Sequence, residues 1–300
     1  MSNPIEVLEK IAINKAQSYA ERPDTVAVAI TGSIGRGMTW EGSDVDLWVY
    51  RNGERAFEDG WEQGIYWEAD IESATLLDIQ MDDHTWLRPH TLEGDEISLL
   101  EALWGCRVYY DPTGKLTSLK KVIDSRVAHK RWMRHRAELF ISYGRGCLAG
   151  LQYADALTAI LMARVVATDY GITAYWMRRG KLLTSALRVP ERLADEPELQ
   201  RLYCEVFGLK GKVGADEFLE NLKHLPMQIQ DAIEGDVEEC KPAMALGYHD
   251  GVIRHLRQIM AADFQPEEIL PILALGDDLE TQKGELLEKV GVILDLCEAL

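Results

Sequence analysis

The sequence predicts an α+β protein, a small mixed-sheet domain over residues 1–125 followed by an α-helical bundle over residues 126–300. Two observations carry this. Strand-like, period-two segments are confined to the first 125 residues, and from Arg126 onward the apolar positions recur at helical spacing. A length of 300 residues leaves room for two cores.

Asn3-Pro4 followed by Glu6 is a helix start, and Ile5, Leu8, Ile11, Ala12 and Ala16 form an apolar stripe. This helix should end near Glu21, before Pro23. Thr25 to Thr31 alternates and is rich in β-branched residues, so it reads as a strand. Gly32-Ser33-Ile34-Gly35-Arg36-Gly37 reads as a turn and a short helix, and Ser43-Asp44-Val45-Asp46-Leu47 opens a second strand. Asn52-Gly53 is a turn. Gly64 to Ser73 reads as a third strand, with Trp67, Ala69 and Ile71 on one face and Glu68, Asp70 and Glu72 on the other. Gly94 to Trp104 reads as helical, and Arg107 to Tyr110 as a short strand ended by the turn Asp111-Pro112-Thr113-Gly114. Beyond that, helices are expected over Arg126–Gly144, Leu151–Tyr170, Glu191–Phe207, Ala215–Leu225, Pro226–Ile233, Val252–Ala261 and Glu280–Ala299.

The motif between the first two strands has a chemical logic. Gly32 and Ser33 permit a tight turn whose backbone N–H groups suit an anion. Asp44 and Asp46, two apart on an apolar strand, share a face and repel unless a divalent cation lies between them. A phosphate-gripping turn beside a metal-holding Asp pair is what nucleotidyl transfer needs. Ser33 is expected to bind phosphate through its hydroxyl and adjacent amides, and Arg36 either clamps a triphosphate or pairs with Glu41.

Gly32-Ser33, ten intervening residues, then Asp44-x-Asp46 with apolar flanks resembles the signature of the DNA polymerase β-like nucleotidyltransferase superfamily. The chain looks most like its small-molecule members of the aminoglycoside and lincosamide type. The signature covers Thr31 to Tyr50, with weaker similarity to about Leu187. The resemblance implies a catalytic nucleotidyltransferase domain before a helical domain. It also implies two Mg²⁺ ions held by Asp44, Asp46 and a third carboxylate, and ATP or another NTP as donor. Asp70 is the expected third carboxylate, being flanked by Ala69 and Ile71, and Glu68 and Glu72 compete for the role because they share its face. Similarity also points to Lys181 in the segment Tyr170 to Leu183 as a nucleotide contact, helped by Arg178 and Arg179; complementing a helix C-terminus is the alternative role for these cations. The family's Pro and the aromatic after the Lys are absent here.

Net charge is −18, which argues against a nucleic-acid partner. It is uneven: residues 126–190 hold 11 Lys and Arg against 3 Asp and Glu, while the segments on either side are acidic. A basic block in an acidic chain suggests either a local anion or an interface with the acidic domain. Asp155, one of the three acids in that block, is read either as a general base or as an ion-pair partner of Arg164. Trp40, Trp48, Trp61, Trp67, Trp86 and Trp104 are core or stacking candidates. The five cysteines lack zinc spacing and fit free thiols in a reducing compartment. With no 18-residue uncharged apolar run and no leader pattern, a cytoplasmic protein without a membrane partner is expected.

The expected activity is transfer of a nucleoside monophosphate, AMP from ATP, to a hydroxyl of a small molecule with release of pyrophosphate. A cationic antibiotic suits an acidic protein as acceptor. The alternative is a non-catalytic nucleotide sensor or partner-binding, antitoxin-like module on the same fold. Acceptor identity, base preference and oligomeric state have no readable code in the sequence.

Overall fold

The computed structural model describes residues 3–82, 99–100, 102–182, 186–276 and 278–299. Trp86 and most of the expected helix Gly94–Trp104 lie outside the described residues, although Leu99, Leu100, Ala102 and Leu103 are helical. Contacts divide the chain into two compact units, Met1–Arg136 with Gly180–Thr184, and Ala137–Arg179 with Ser185–Leu300.

The first unit is built on a five-stranded mixed sheet. Its strands are β1 (Thr25–Ile30), β2 (Val45–Arg51), β3 (Ala56–Glu62), β4 (Ile65–Ser73) and β5 (Arg107–Tyr110), in the order β3-β4-β2-β1-β5. All neighbours are antiparallel except β2 and β4, which run parallel. Helix α1 (Pro4–Ala20) starts as its sequence dictates. Asn3 caps it by accepting the Ile5 amide at 3.1 Å, and Pro4 occupies the first turn, where a missing N–H costs nothing. Its stripe of Leu8, Ile11, Ala12, Ala16 and Tyr19 packs on Val28 and Ile30 of β1, Val45, Leu47 and Val49 of β2, and Ala69 and Ile71 of β4. The side-chain period of two sends Asp46, Trp48 and Tyr50 to the other face of β2, with Glu68, Asp70 and Glu72 beside them on β4.

Helix α2 (Gly32–Gly35) is a single turn between β1 and β2. Helix α3 (Ala74–Asp82) follows β4 directly, and the Tyr50 hydroxyl donates to Gln80 Oε1 at 2.7 Å. Helix α4 (Lys115–Val127) buries Leu116, Leu119, Ile123 and Val127.

Strand β3 is an addition to the sequence reading. Its alternation is masked by Glu58, Asp59, Glu62 and Gly60, and it is held as an edge strand by a two-residue turn, Gln63-Gly64, both at positive φ. The Tyr19 hydroxyl and the Arg22 guanidinium both donate to Glu58 and fasten this edge to the end of α1.

The second unit is helical, with long helices over Pro197–Phe207, Gly211–Leu222, Met227–Ala245, His249–Asp263 and Leu279–Ala299. The helix Lys130–Leu151 contains the division at Arg136. Residues 156–178 form one continuous helix whose middle, Val166–Ile172, is π-helical; the Thr173 hydroxyl donates to the Thr168 carbonyl at 3.4 Å there. This helix is long and apolar enough to cross a membrane by length and composition, and 56% of its most apolar window is buried inside the protein. It packs along Leu279–Ala299, where Gly171 faces Ile293.

Candidate functional site

The site forms where β1 ends and β2 begins. The Thr31 amide donates to the Asp46 carbonyl at 2.9 Å, so the chain leaves β1 level with the second aspartate. Gly32 follows with φ +55°, a backbone that L side chains rarely adopt. A Cβ there would lie 1.5 Å from Asp46 Oδ2, so the carboxylate fills the space that any other residue would need. Gly35 closes the turn: its Cβ would meet the Ile30 carbonyl at 2.3 Å. The two glycines therefore let the turn lie flat against β1 and against Asp46. The opening amides of such a helical turn have no partner within the turn itself.

Ser33 donates its hydroxyl to Ser43 Oγ at 2.8 Å, and Ser43 Oγ also accepts the Trp40 amide at 3.1 Å. Ser43 is buried and immediately precedes Asp44. It ties the Gly-Ser turn to the first aspartate. Sequence reasoning missed this residue, although its place before Asp-x-Asp was the available signal.

Asp44 sits one residue before β2, and Asp46 is its second residue. Loss of surrounding water pushes the Asp44 carboxyl above its ordinary value, partly opposed by a hydrogen bond from its own backbone and by the positive charge of Arg36. Arg36 lies along Gly105, its guanidinium 6.0 Å from the Trp104 ring centre.

The parallel register places the three carboxylates of β4 at different levels along β2. Asp46 is paired with Glu68, Trp48 with Asp70, and Tyr50 with Glu72. Glu68, one of the two competitors for the third-carboxylate role, is therefore level with Asp46, and the expected Asp70 is level with Trp48. Its carboxyl is pushed up to about 7, first by burial and then by the negative charges of Asp44, Asp70 and Asp59. Glu72 is buried at the other end of the strand, where Arg55 pairs with it at 3.2 Å. Asp70 sits between these two, opposite Trp48 on one side and Phe57 on the other.

Two expected site residues lie apart from this cluster in sequence. Asp155 caps the helix starting at Ala156, accepting the Thr158 amide at 2.9 Å, and that bond holds its carboxyl below the usual carboxylate range. The expected pairing with Arg164 is replaced by this cap, since Arg164 donates to the carbonyls of Val206, Leu273 and Ala274. Lys181 is exposed, in the short segment that groups with the mixed-sheet unit. The rest of the basic block is partly neutralised within the helical unit: Arg145 pairs with Asp295 and Glu298, and Arg179 pairs with Glu196.

The carboxylates suit a divalent cation by charge. Asp44 and Glu68 both bind protons more readily than free carboxyls do, chiefly because burial strips them of water, and for Glu68 also because the charges of Asp44, Asp70 and Asp59 repel its own. Among the described residues no three His, Cys, Asp or Glu side chains close on one point as a finished metal cage.

No family model matches the chain, and no curated protein does. Among solved structures the chain is similar to a nucleotidyltransferase-like protein from Exiguobacterium sibiricum 255-15. The alignment is 14% identical and covers 96% of this chain and 90% of that one, with a TM-score of 0.28. A superposition that loose carries no argument about this chain.

Proposed function

We propose that the protein is a metal-dependent nucleotidyltransferase, moving a nucleoside monophosphate from an NTP to a hydroxyl of a small molecule. One observation carries the reading: β2 and β4 set Glu68 level with Asp46 and within the field of Asp44, against a Gly32-Ser33 turn whose shape depends on that same Asp46.

Asp44, Asp46 and Glu68 would hold Mg²⁺, which when bound neutralises the triphosphate and lowers the barrier to attack on its α-phosphorus. The chain's own groups do the rest. The backbone amides of the Gly32-Ser33 turn cradle phosphate oxygens, with the Ser33 hydroxyl turning from Ser43 to join them, Arg36 adds a positive charge beside Asp44, and Lys181 contributes a second phosphate contact. ATP as donor and a cationic antibiotic as acceptor are the favoured substrates, the latter because the protein is strongly acidic. The second reading is a nucleotide-binding module without turnover on the same fold.

Magnesium-dependent pyrophosphate release, measured with each NTP across a panel of hydroxylated and cationic acceptors, separates the two. The enzyme reading expects release with at least one acceptor and none in Asp46→Asn. Nucleotide binding without release across a broad panel would establish the module.

A further inference from the structure

The helical unit contains a cavity of about 280 Å³ that the proposed transfer does not use. Its wall is largely apolar, formed by Leu161, Met162, Val165, Phe207 and Leu273. Two guanidiniums, Arg164 and Arg257, also line it. Arg164 is 6% exposed.

Both arginines are fixed by carbonyls. Arg164 donates to Val206, Leu273 and Ala274 at 3.0, 2.6 and 3.3 Å. Arg257 donates from Nε to Ile272 at 2.6 Å and from Nη1 to Phe207 at 2.6 Å. These bonds leave donors over. A guanidinium has five N–H groups, and Nη2 of Arg257 has no protein acceptor among the described residues.

The charges are also left over. The carbonyls at the end of the helix Pro197–Phe207 supply about half a negative charge. The other group that acts on Arg164 is Arg257, of like sign. Arg257 feels the negative charge of Asp250, whose carboxylate also accepts the Gly211 amide at 2.7 Å. Burial pushes Arg164 down to about 9 and Arg257 down to about 10, as expected for cations short of counter-charge. Buried charges ordinarily have partners.

We propose that this cavity binds a short aliphatic carboxylate, its head group on the guanidiniums of Arg164 and Arg257 and its chain against the apolar wall. The planar, two-oxygen head matches a guanidinium fork. The volume lies at the small end for ligand pockets, which suits a single short chain. Met162, Gln258 and Ala262 form the exposed rim through which the ligand enters.

Thermal unfolding and calorimetric titration of the full chain with octanoate, octanol and octylammonium at matched ionic strength test this. Octanoate should bind at one saturable site and raise Tm with concentration; the other two should bind about tenfold more weakly or not at all. Ala262→Trp, which fills the mouth, should remove octanoate binding. Met162→Glu should weaken it about tenfold or more, because its own carboxylate competes for the guanidiniums and repels that of the ligand. No saturable octanoate binding, equal binding of octylammonium or octanol, or full binding by the Met162→Glu protein would each overturn the proposal. Should Ala262→Trp fail to fold, Met162→Glu alone decides.

Discussion

At the scale of single residues, the site holds charge at the expense of stability. Asp44 and Glu68 are carboxyls that desolvation, and for Glu68 repulsion, push toward the neutral form. Without metal, Asp44→Asn should therefore raise Tm while losing the extra stability that Mg²⁺ and nucleotide give the wild type; thermal melts with and without both ligands check this. The pH dependence follows from Glu68. Its folded carboxyl titrates near 7 against 4.5 for a free one, so the folded chain holds the extra proton between those values. Stability from this group is present at low pH and lost as pH rises from about 4.5 through about 7. Denaturant melts of the metal-free protein should show that decline, and Glu68→Gln should flatten it. An unchanged slope in the variant would remove Glu68 from the cluster. On activity, Glu68→Gln should cost far more than Asp70→Asn, because the former stands level with Asp46 and the latter with Trp48. Gly32→Ala should abolish nucleotide binding and destabilise the fold, since its Cβ would overlap the Asp46 carboxylate.

At the scale of elements, period-two patterning in β1, β2 and β4 was enough to name the strands, the two faces and the Asp pair. It could not name the third carboxylate. Alternation fixes which face a residue occupies and says nothing of how far one strand slides along its neighbour. Glu68, Asp70 and Glu72 share a face, and only the β2–β4 pairing separates them. Strand β3 was hidden for a different reason: as an edge strand it exposes Phe57 and Trp61 and carries Glu58 and Asp59, so little of its sequence looks like core. Asp155 carried a readable capping signal, an acid just before an apolar run, but its charge surroundings suggested chemistry instead. Asp155→Ala should accordingly lower Tm slightly and leave any transfer rate unchanged, and Asp155→Ser should restore the stability. A rate lost in both variants with Tm intact would return Asp155 to the reaction.

At the scale of the whole molecule, the composition was legible as two units, and the strand patterns placed their junction at 125/126. Contacts divide the chain after Arg136, within a helix, and return Gly180–Thr184 to the mixed-sheet unit. That return is a long-range contact with no local sequence signal. It groups Lys181 with the unit that carries the carboxylates, so Lys181→Ala should weaken nucleotide binding by about tenfold without altering Tm, the value of one charge-assisted phosphate contact. Transfer requires that Asp44, Asp46 and Glu68 together with the Gly32-Ser33 turn form a metal-dependent nucleotide site. Titration of a non-hydrolysable NTP analogue into wild type and Asp46→Asn, each with Mg²⁺ and with EDTA, tests it without needing the acceptor. The account predicts saturable binding by the wild type only with Mg²⁺, and none by a variant that remains folded. Binding that survives both EDTA and Asp46→Asn, or no binding by the wild type under any condition, would contradict it.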